Sequence, residues 1–517
     1  SLLLAVDIVL PGTAVLVAKE GDVIYKEAFG MANLEFDVPV KTEMVFEIGS
    51  ITKQFTAISI LMLMEEGKIS LDDEITKYIE DYPTHGHEIT IHHLLTHTSG
   101  IKSYTSMGKW QGKWREDVEP KEFIDFFKNE PMNFAPGEEF SYNNSAYFLL
   151  GYIIEKISGK SYAEFIEQNI FQPAGMKNSY YGSQSKLIEN RAYGYQNKDG
   201  FVNAEYLSLT QPYSAGAIMC TVEDLYKWHK ALKAYKLVKE ETLQKAFTNN
   251  TLNNGEKINY GYGWFINEIN GLSTLEHGGG IFGYSSNAVY VPEKDVFVAM
   301  FSNRDDFSPS KTSTKIAAHA IGKPYPVKQD KIDLDDDFLQ SLTGVYEFED
   351  GKVRYVMYED GQLYSQRKKG SKFKIYPSAK DKFFFEDSFS EYKFTNLQDD
   401  DMEIVFKNRI NESRGKRTAK EIPEGINSDV DLDPATLKQY VGTYEIKPNF
   451  VIEITFEDGN LMAQATGQGK FKIYPKSETK FYYKVVDAQI EFRKSDKGEI
   501  DSLVLYQGGK EMKASKK

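Results

Sequence analysis

Apolar and polar positions alternate along 13–18 (TAVLVA) and 23–28 (VIYKEA), and Lys19-Glu20-Gly21-Asp22 separates the two runs. That pattern predicts a β-hairpin. After Gly49 the spacing lengthens to that of a helix, with Phe55, Ile58, Leu61 and Met62 preceding Gly67. A short helix is expected to begin at Ile69-Ser70-Leu71-Asp72-Asp73. Residues 89–95 lead into Thr96-His97-Thr98-Ser99-Gly100-Ile101, a polar turn ended by glycine. Helical spacing recurs at 120–130, at 144–158 before Gly159, and at about 161–170. Thr221-Val222-Glu223-Asp224 resembles a capping box, starting a helix that ends near 235. Strands are expected at 260–267 and 274–277, then a hairpin at 287–302 turning on Pro292-Glu293-Lys294-Asp295, and a helix at 311–321. Strands at both ends with helices between them predict one α/β unit over 1–325, its first and last strands sharing an antiparallel sheet.

The pattern changes after the Pro- and charge-rich stretch 324–337, whose acidic run at 333–337 reads as a solvated linker. Beyond it lie short alternating strands, and they repeat. Thr343-Gly344-Val345-Tyr346-Glu347 recurs as Val441-Gly442-Thr443-Tyr444-Glu445. Glu359-Asp360-Gly361-Gln362-Leu363 recurs as Glu457-Asp458-Gly459-Asn460-Leu461, and Phe373-Lys374-Ile375-Tyr376-Pro377 recurs unchanged from Phe471. All three pairs share an offset of 98 residues, so the repeat is a duplication. It predicts two small antiparallel, lipocalin-like β-barrels over 338–421 and 435–517, joined by a linker at 422–434.

Composition narrows the function. A chain of 517 residues is too long for one core, and its net charge of −14 argues against nucleic acid as a partner. No apolar run approaches the length of a membrane-spanning helix. The run at 2–10 is short, lacks a basic flank and contains Asp7, so it is not read as an intact signal peptide. Cys220 is the single cysteine, which excludes an internal disulfide and a cysteine-based metal site and reads as a small buried residue.

Candidate chemistry starts at Ser50, which the pattern sets at or just before a helix N-terminus, with Lys53 one turn on. A serine there meets free backbone N–H groups, and a desolvated amine three residues later can take its proton. The spacing alone is common: Ser106/Lys109, Ser183/Lys186, Ser308/Lys311, Ser413/Lys416 and Ser477/Lys480 share it, and an N-cap serine is worth about 1 kcal/mol without any catalysis. Tyr142-Asn143-Asn144 precedes a helix; its tyrosine, ionised by a nearby ammonium, can shuttle a proton, and the Asn144 amide can hold a substrate carbonyl and Lys53 together. The plain alternative is an aromatic staple and an asparagine cap. His277-Gly278-Gly279-Gly280 follows a predicted strand, and its glycines allow close approach of a ligand to backbone N–H groups. A glycine-rich hairpin explains that run equally well.

Together, Ser50-x-x-Lys53, Tyr142-x-Asn144 and His277-x-Gly279 resemble, in order and context, the motifs of the serine β-lactamase and penicillin-binding-protein superfamily. The likeness is to its class C-like branch, which includes esterases and D-aminopeptidases. Leu94-Leu95-Thr96-His97-Thr98-Ser99-Gly100-Ile101, Pro136-Gly137 and Gln172-Pro173-Ala174-Gly175-Met176 add to it, so that it spans about 11–322. The resemblance implies a covalent acyl-enzyme in which Ser50 attacks, Lys53 and Tyr142 move the proton, Asn144 orients substrate, His277 and Gly279 add to the substrate-binding and oxyanion side, and the N–H groups of Ser50 and Gly280 hold the oxyanion. It implies no metal or organic cofactor, and a small peptide, amino-acid amide or ester as substrate. Penicillin-recognising members usually carry Lys-Thr-Gly where this chain has His277-Gly278-Gly279, which argues against efficient β-lactam hydrolysis. The His-x-Gly form and the two barrels resemble D-aminopeptidases.

His92, His93 and His97 resemble a metal cluster, but the spacing from His87 to His92 is one residue too long for a zinc helix, and packing is the expected role. Gly-x-Ser-x-Gly is absent, which sets aside an α/β-hydrolase. Tyr260, Tyr262 and Trp264 fit the cleft or the core. The expected function is a D-aminopeptidase or amidase. The alternatives are a carboxylesterase of the same fold and a non-catalytic binding protein for a peptide or cell-wall fragment. The barrels are expected to set specificity, a loop from one capping the substrate's amino end; unchanged selectivity in a folded chain lacking 330–517 would contradict this. The resemblance implies a periplasmic or secreted location, with the cytoplasm as the alternative.

Overall fold

Thr13–Lys19 (β1) is apolar at nearly every position because it lies inside a sheet, between Asp22–Phe29 (β2) and Val296–Ser302 (β6). Phe265–Ile269 (β3), Leu272–Ile281 (β4) and Tyr284–Val291 (β5) complete the order β3-β4-β5-β6-β1-β2, with every neighbouring pair antiparallel. The register runs from Thr13 opposite Ser302 to Lys19 opposite Val296, so strands from the two ends of the unit close one sheet.

The computed structural model describes all residues except 1–9, 199, 360, 369, 398–400, 424–431, 433, 449, 458, 477, 484–487, 496–499 and 508–509. Most of the apolar run at 2–10, most of the 422–434 linker, Asp360 and Asp458 of the repeat, and Ser477 therefore lie outside the described residues. The chain divides into two compact units, one ending at Tyr325 and the other beginning at Pro326.

Four longer helices belong to the first unit: Thr52–Glu65 (α1), Asn144–Ser158 (α2), Val222–Lys233 (α3) and Pro309–Ala320 (α4). Adjacent residues of β5 point to opposite faces of the sheet: Ser286 Oγ donates to the Ile48 carbonyl and Asn287 Nδ2 to Ser313 Oγ of α4. The sheet thus carries α4 on one face and the turn before α1 on the other.

α1 is buried almost all round, although its apolar spacing alone predicts an exposed stripe. Its polar side chains are satisfied inside the protein. Thr56 Oγ1 donates to the Ser214 carbonyl, Thr52 Oγ1 accepts from the Ile218 amide, and Trp228 Nε1 donates to Gln54 Oε1. The helix that carries the candidate nucleophile is a rigid central element.

Three expectations change. Residues 69–73 form turns rather than a helix, because Asp73 Oδ2 accepts from the Ser70 amide and competes with helical pairing. The predicted strand at 260–267 begins only at Phe265; Gly263, at φ +85°, bends the chain so closely over α1 that a Cβ there would stand 2.9 Å from the Lys53 carbonyl oxygen. The glycines after His277 do not follow a strand but lie inside β4, which runs on to Ile281.

The second unit holds two closed, eight-stranded antiparallel barrels. The first runs from Gly344–Phe348 to Asn411–Thr418 and closes by pairing Val345 with Thr418. The second runs from Gly442–Lys447 to Lys510–Lys516 and closes by pairing Tyr444 with Lys516. Short helices, Asp336–Ser341 and Pro434–Lys438, precede them.

Candidate active site

Ser50 sits in a 3₁₀ turn, Gly49–Ile51, that continues directly into α1. Gly49 has φ +52°, and a Cβ on it would stand 2.9 Å from the Gly280 amide nitrogen. Glycine is required there on both counts. β3 pairs with β4 only as far as Glu276, so His277 to Ile281 form a free edge on that side. The edge passes hard against the turn, for a Cβ on Gly279 would lie 1.9 Å from the Ile48 carbonyl oxygen. Gly280 itself is exposed, its α-carbon facing open space.

Lys53 is fully buried, and its Nζ lies within hydrogen-bond distance of three oxygens, Ser50 Oγ at 3.2 Å, Asn144 Oδ1 at 2.8 Å and the Ala215 carbonyl at 2.9 Å; as a neutral amine it donates to the last two and accepts from the Ser50 hydroxyl. Burial without a carboxylate partner pushes its pKa well below that of an ordinary lysine, favouring the neutral amine. Asn143 is the N-cap of α2, its Oδ1 accepting from the Ala146 amide at 2.9 Å. Asn144 is thereby freed from capping and turns toward Lys53, while its Nδ2 donates to Thr105 Oγ1 at 3.2 Å.

The Tyr142 ring lies 4.7 Å from Lys53 Nζ and is packed between His97, at 4.4 Å, and Phe265. Its hydroxyl is buried and has no hydrogen-bond partner among the described residues. Burial raises the phenol's pKa, and the Ser50 hydroxyl, near enough to approach a hydrogen bond although short of good geometry, opposes that rise. Desolvation favours the uncharged form of both groups, the amine and the phenol. The ionised tyrosine expected from the sequence is disfavoured, because burial penalises both the phenolate and the Lys53 ammonium that would stabilise it.

His277 does not open toward the turn. Its ring is buried, and burial aided by Lys53 lowers its pKa to about 3. His97 is likewise buried and shifted far down. Backbone groups fix both tautomers. The Asn143 amide donates to His97 Nδ1 at 3.0 Å, so the His97 proton sits on Nε2, 3.3 Å from Tyr260 Oη. His277 Nδ1–H donates to the Gly278 carbonyl at 2.6 Å, leaving Nε2 to accept from the Tyr260 hydroxyl at 3.1 Å. A one-way chain of hydrogen bonds therefore links the backbone beside Tyr142 to the backbone beside Gly279.

Ser50, Lys53, Tyr142 and Asn144 converge, and Gly279 and Gly280 line the turn. His277 reaches them through its backbone neighbours, through Tyr260 and through its ring, 6.0 Å from that of Tyr142. Sequence reasoning missed the Ala215 carbonyl, delivered by a tight turn in which Tyr213 has φ +42°, and the polar link through Tyr260. The small-residue run Ser214-Ala215-Gly216 was the only signal for the first. The three early histidines are occupied locally: His93 completes the cap at Thr90, and His92 Nδ1 pairs with Tyr262 Oη.

A family model described as Beta-lactamase matches residues 6–323, more than half of the sequence. The chain belongs to the beta-lactamase family. A model for a domain of unknown function, DUF3471, matches 428–516, the second barrel. Penicillin-binding protein 4* of Bacillus subtilis (strain 168) is 30% identical over 429 residues, covering 78% of this chain and 94% of that protein. The D-aminopeptidase of Gluconobacter oxydans (strain 621H) is 27% identical over 324 residues, which cover 61% of this chain and 60% of that enzyme. Among solved structures, the octameric penicillin-binding protein homologue from Pyrococcus abyssi matches with a TM-score of 0.54 and 28% identity, covering 78% of this chain and 96% of its own. This beta-lactamase-family chain thus sits in the superfamily of penicillin-binding proteins and D-aminopeptidases.

Proposed function

We propose that the chain is a serine hydrolase that acylates Ser50 and cleaves amide bonds of small peptides or amino-acid amides, with the selectivity of a D-aminopeptidase. The observation that carries this reading is the buried Lys53 amine, 3.2 Å from Ser50 Oγ and held by Asn144 and Ala215. A neutral amine in that position takes the serine proton as Oγ attacks the substrate carbonyl. The N–H groups of Ser50 and Gly280 receive the oxyanion, an element worth roughly 10²–10³ in rate. The Tyr142 hydroxyl, buried beside Ser50 and Lys53, gives its proton to the leaving amine and recovers one from Lys53. Water then releases the acid by the reverse path.

His277 supports a substrate without a carboxylate at the third motif. It is neutral, and both ring nitrogens are engaged with Tyr260 and Gly278. No charge is offered there to a β-lactam carboxylate. The likeness to a D-aminopeptidase favours the D-amino-acid form of the reading.

The test is a kcat/KM panel of D- and L-alanyl anilides, a short-chain aryl ester and a chromogenic cephalosporin, with Ser50→Ala as blank and a fluorophosphonate label on Ser50. Preference for the D-anilide is expected, with the cephalosporin slowest. Turnover of the ester alone would reassign the chain as a carboxylesterase. No turnover and no adduct would leave a binding protein.

A further inference from the structure

The duplication lets the two barrels be compared position by position, and they fill one end of their interiors differently. In the first barrel, Arg354 is 5% exposed, and its guanidinium lies 3.8 Å from the Phe406 ring centre and 5.0 Å from that of Phe348. Its Nη1 donates to Tyr392 Oη at 3.1 Å, Ser365 Oγ lies 2.6 Å from the same oxygen, and Phe385 packs on the Tyr392 ring. A cation and four aromatic rings thus occupy this end of the barrel.

The 98-residue offset puts Ile446, Ile452, Ala463, Tyr483 and Ile490 where the first barrel has Phe348, Arg354, Ser365, Phe385 and Tyr392. The ladder supplies the sixth match, since Tyr392 pairs with Phe406 and Ile490 with Leu505. Of these six positions, only Phe385/Tyr483 keeps a large ring. The result is a cavity of about 310 Å³ in the second barrel, bordered by Ile452, Ala463, Tyr483, Leu505 and Met512, with Gln468 and Gln507 also on its wall. None of its described lining residues carries a charge. At the other end of the barrel, Tyr440 packs on Phe481 and Phe492.

Gln468, Phe471 and Gln507 on its wall are exposed, so the cavity opens to solvent, and an apolar ligand entering it would displace water from Ile452, Ala463 and Leu505. Engineered cavities of roughly 150 Å³ already bind benzene, and ligand pockets start near 300 Å³. Eight-stranded barrels are wide enough to hold one small ligand. We propose that the second barrel is a binding site for a small molecule with one aliphatic chain and an uncharged polar end, such as a primary amide or an alcohol. The chain lies along Ile452, Ala463, Leu505 and Met512, and the polar end meets Gln468, Gln507 or the Tyr483 hydroxyl.

The test is calorimetric titration of the full Ser50→Ala chain with the homologous amides from butanamide to decanamide. Affinity is expected to rise roughly three- to four-fold per methylene until the cavity is full, and then to level off. Ile452→Arg combined with Ile490→Tyr and Leu505→Phe rebuilds the first barrel's filling and should weaken binding at least about ten-fold. Ala463→Leu, a milder filling substitution, should move the levelling point to a shorter amide, and it decides the matter if the triple variant does not fold. Affinity that is independent of chain length, or unchanged by filling the cavity, overturns the proposal.

Discussion

Lys53 and Arg354 are both buried basic side chains, 0% and 5% exposed, and the two units treat them in opposite ways. Among the described residues Lys53 meets three oxygens and no carboxylate, so the surroundings accept its hydrogen bonds but penalise its charge. Arg354 meets the faces of Phe348, Tyr392 and Phe406, which tolerate a charge that a guanidinium cannot shed. An amine that can be neutralised is useful as a base. A guanidinium is useful as filling. The contrast separates burial that tunes reactivity from burial that completes packing, and single substitutions can break it.

The largest effect is expected at Lys53. Lys53→Met should lower kcat/KM for the best substrate of the panel by about 10³-fold, and Lys53→Arg should do the same, because a permanent cation cannot accept the serine proton. Retention of a tenth of the activity by Lys53→Arg would sink the base assignment. Stability should carry the matching sign. Between the lowered folded pKa and the ordinary value of 10.5, the unfolded chain holds a proton that the folded chain lacks. Wild-type stability therefore gains from rising pH across that window, and Lys53→Met should lose that contribution in chemical denaturation.

At Arg354 the expected loss is of stability, with catalysis untouched. Arg354→Ala removes a side chain packed on three rings and should destabilise the first barrel by roughly 2–4 kcal/mol, read from amide exchange in its strands. Arg354→Met, which keeps the length and drops the charge, should cost about 1 kcal/mol or less. A fall in kcat/KM comparable to that of Lys53→Met would erase the distinction between the two basic side chains.

How much of this was legible depends on whether the signal was local. The Ser50 turn, the α2 start at Asn143 and the duplicated barrels announce themselves through spacing, caps and an exact repeat, and the structure forms each from those residues. Ser70 and Asp73 looked helical because apolar spacing does not register a side chain that captures a backbone amide. The Ala215 carbonyl was invisible for another reason: any residue has a carbonyl, and only a strained turn at Tyr213 aims this one at Lys53. His277 was read from its motif as a substrate residue, whereas its partner Tyr260, 17 positions upstream, turns it inward. Contacts between distant strands and loops decide such cases, and a single sequence does not record them.

The smallest effect is expected at that partner. Tyr260→Phe keeps the buried ring and removes the hydroxyl that accepts from His97 and donates to His277. The link between the Tyr142 segment and the glycine edge is then cut, while Ser50, Lys53 and Asn144 keep their direct contacts. Because the hydroxyl touches no reacting atom, its loss should act through position: kcat falls about ten-fold while KM stays within roughly two-fold. If the link works by holding Tyr142, the same change made in a Tyr142→Phe background should add little, since the group being positioned is already gone. Fully additive losses would mean that Tyr260 supports the site by packing alone, and the polar chain would then belong with Arg354 as filling rather than with Lys53.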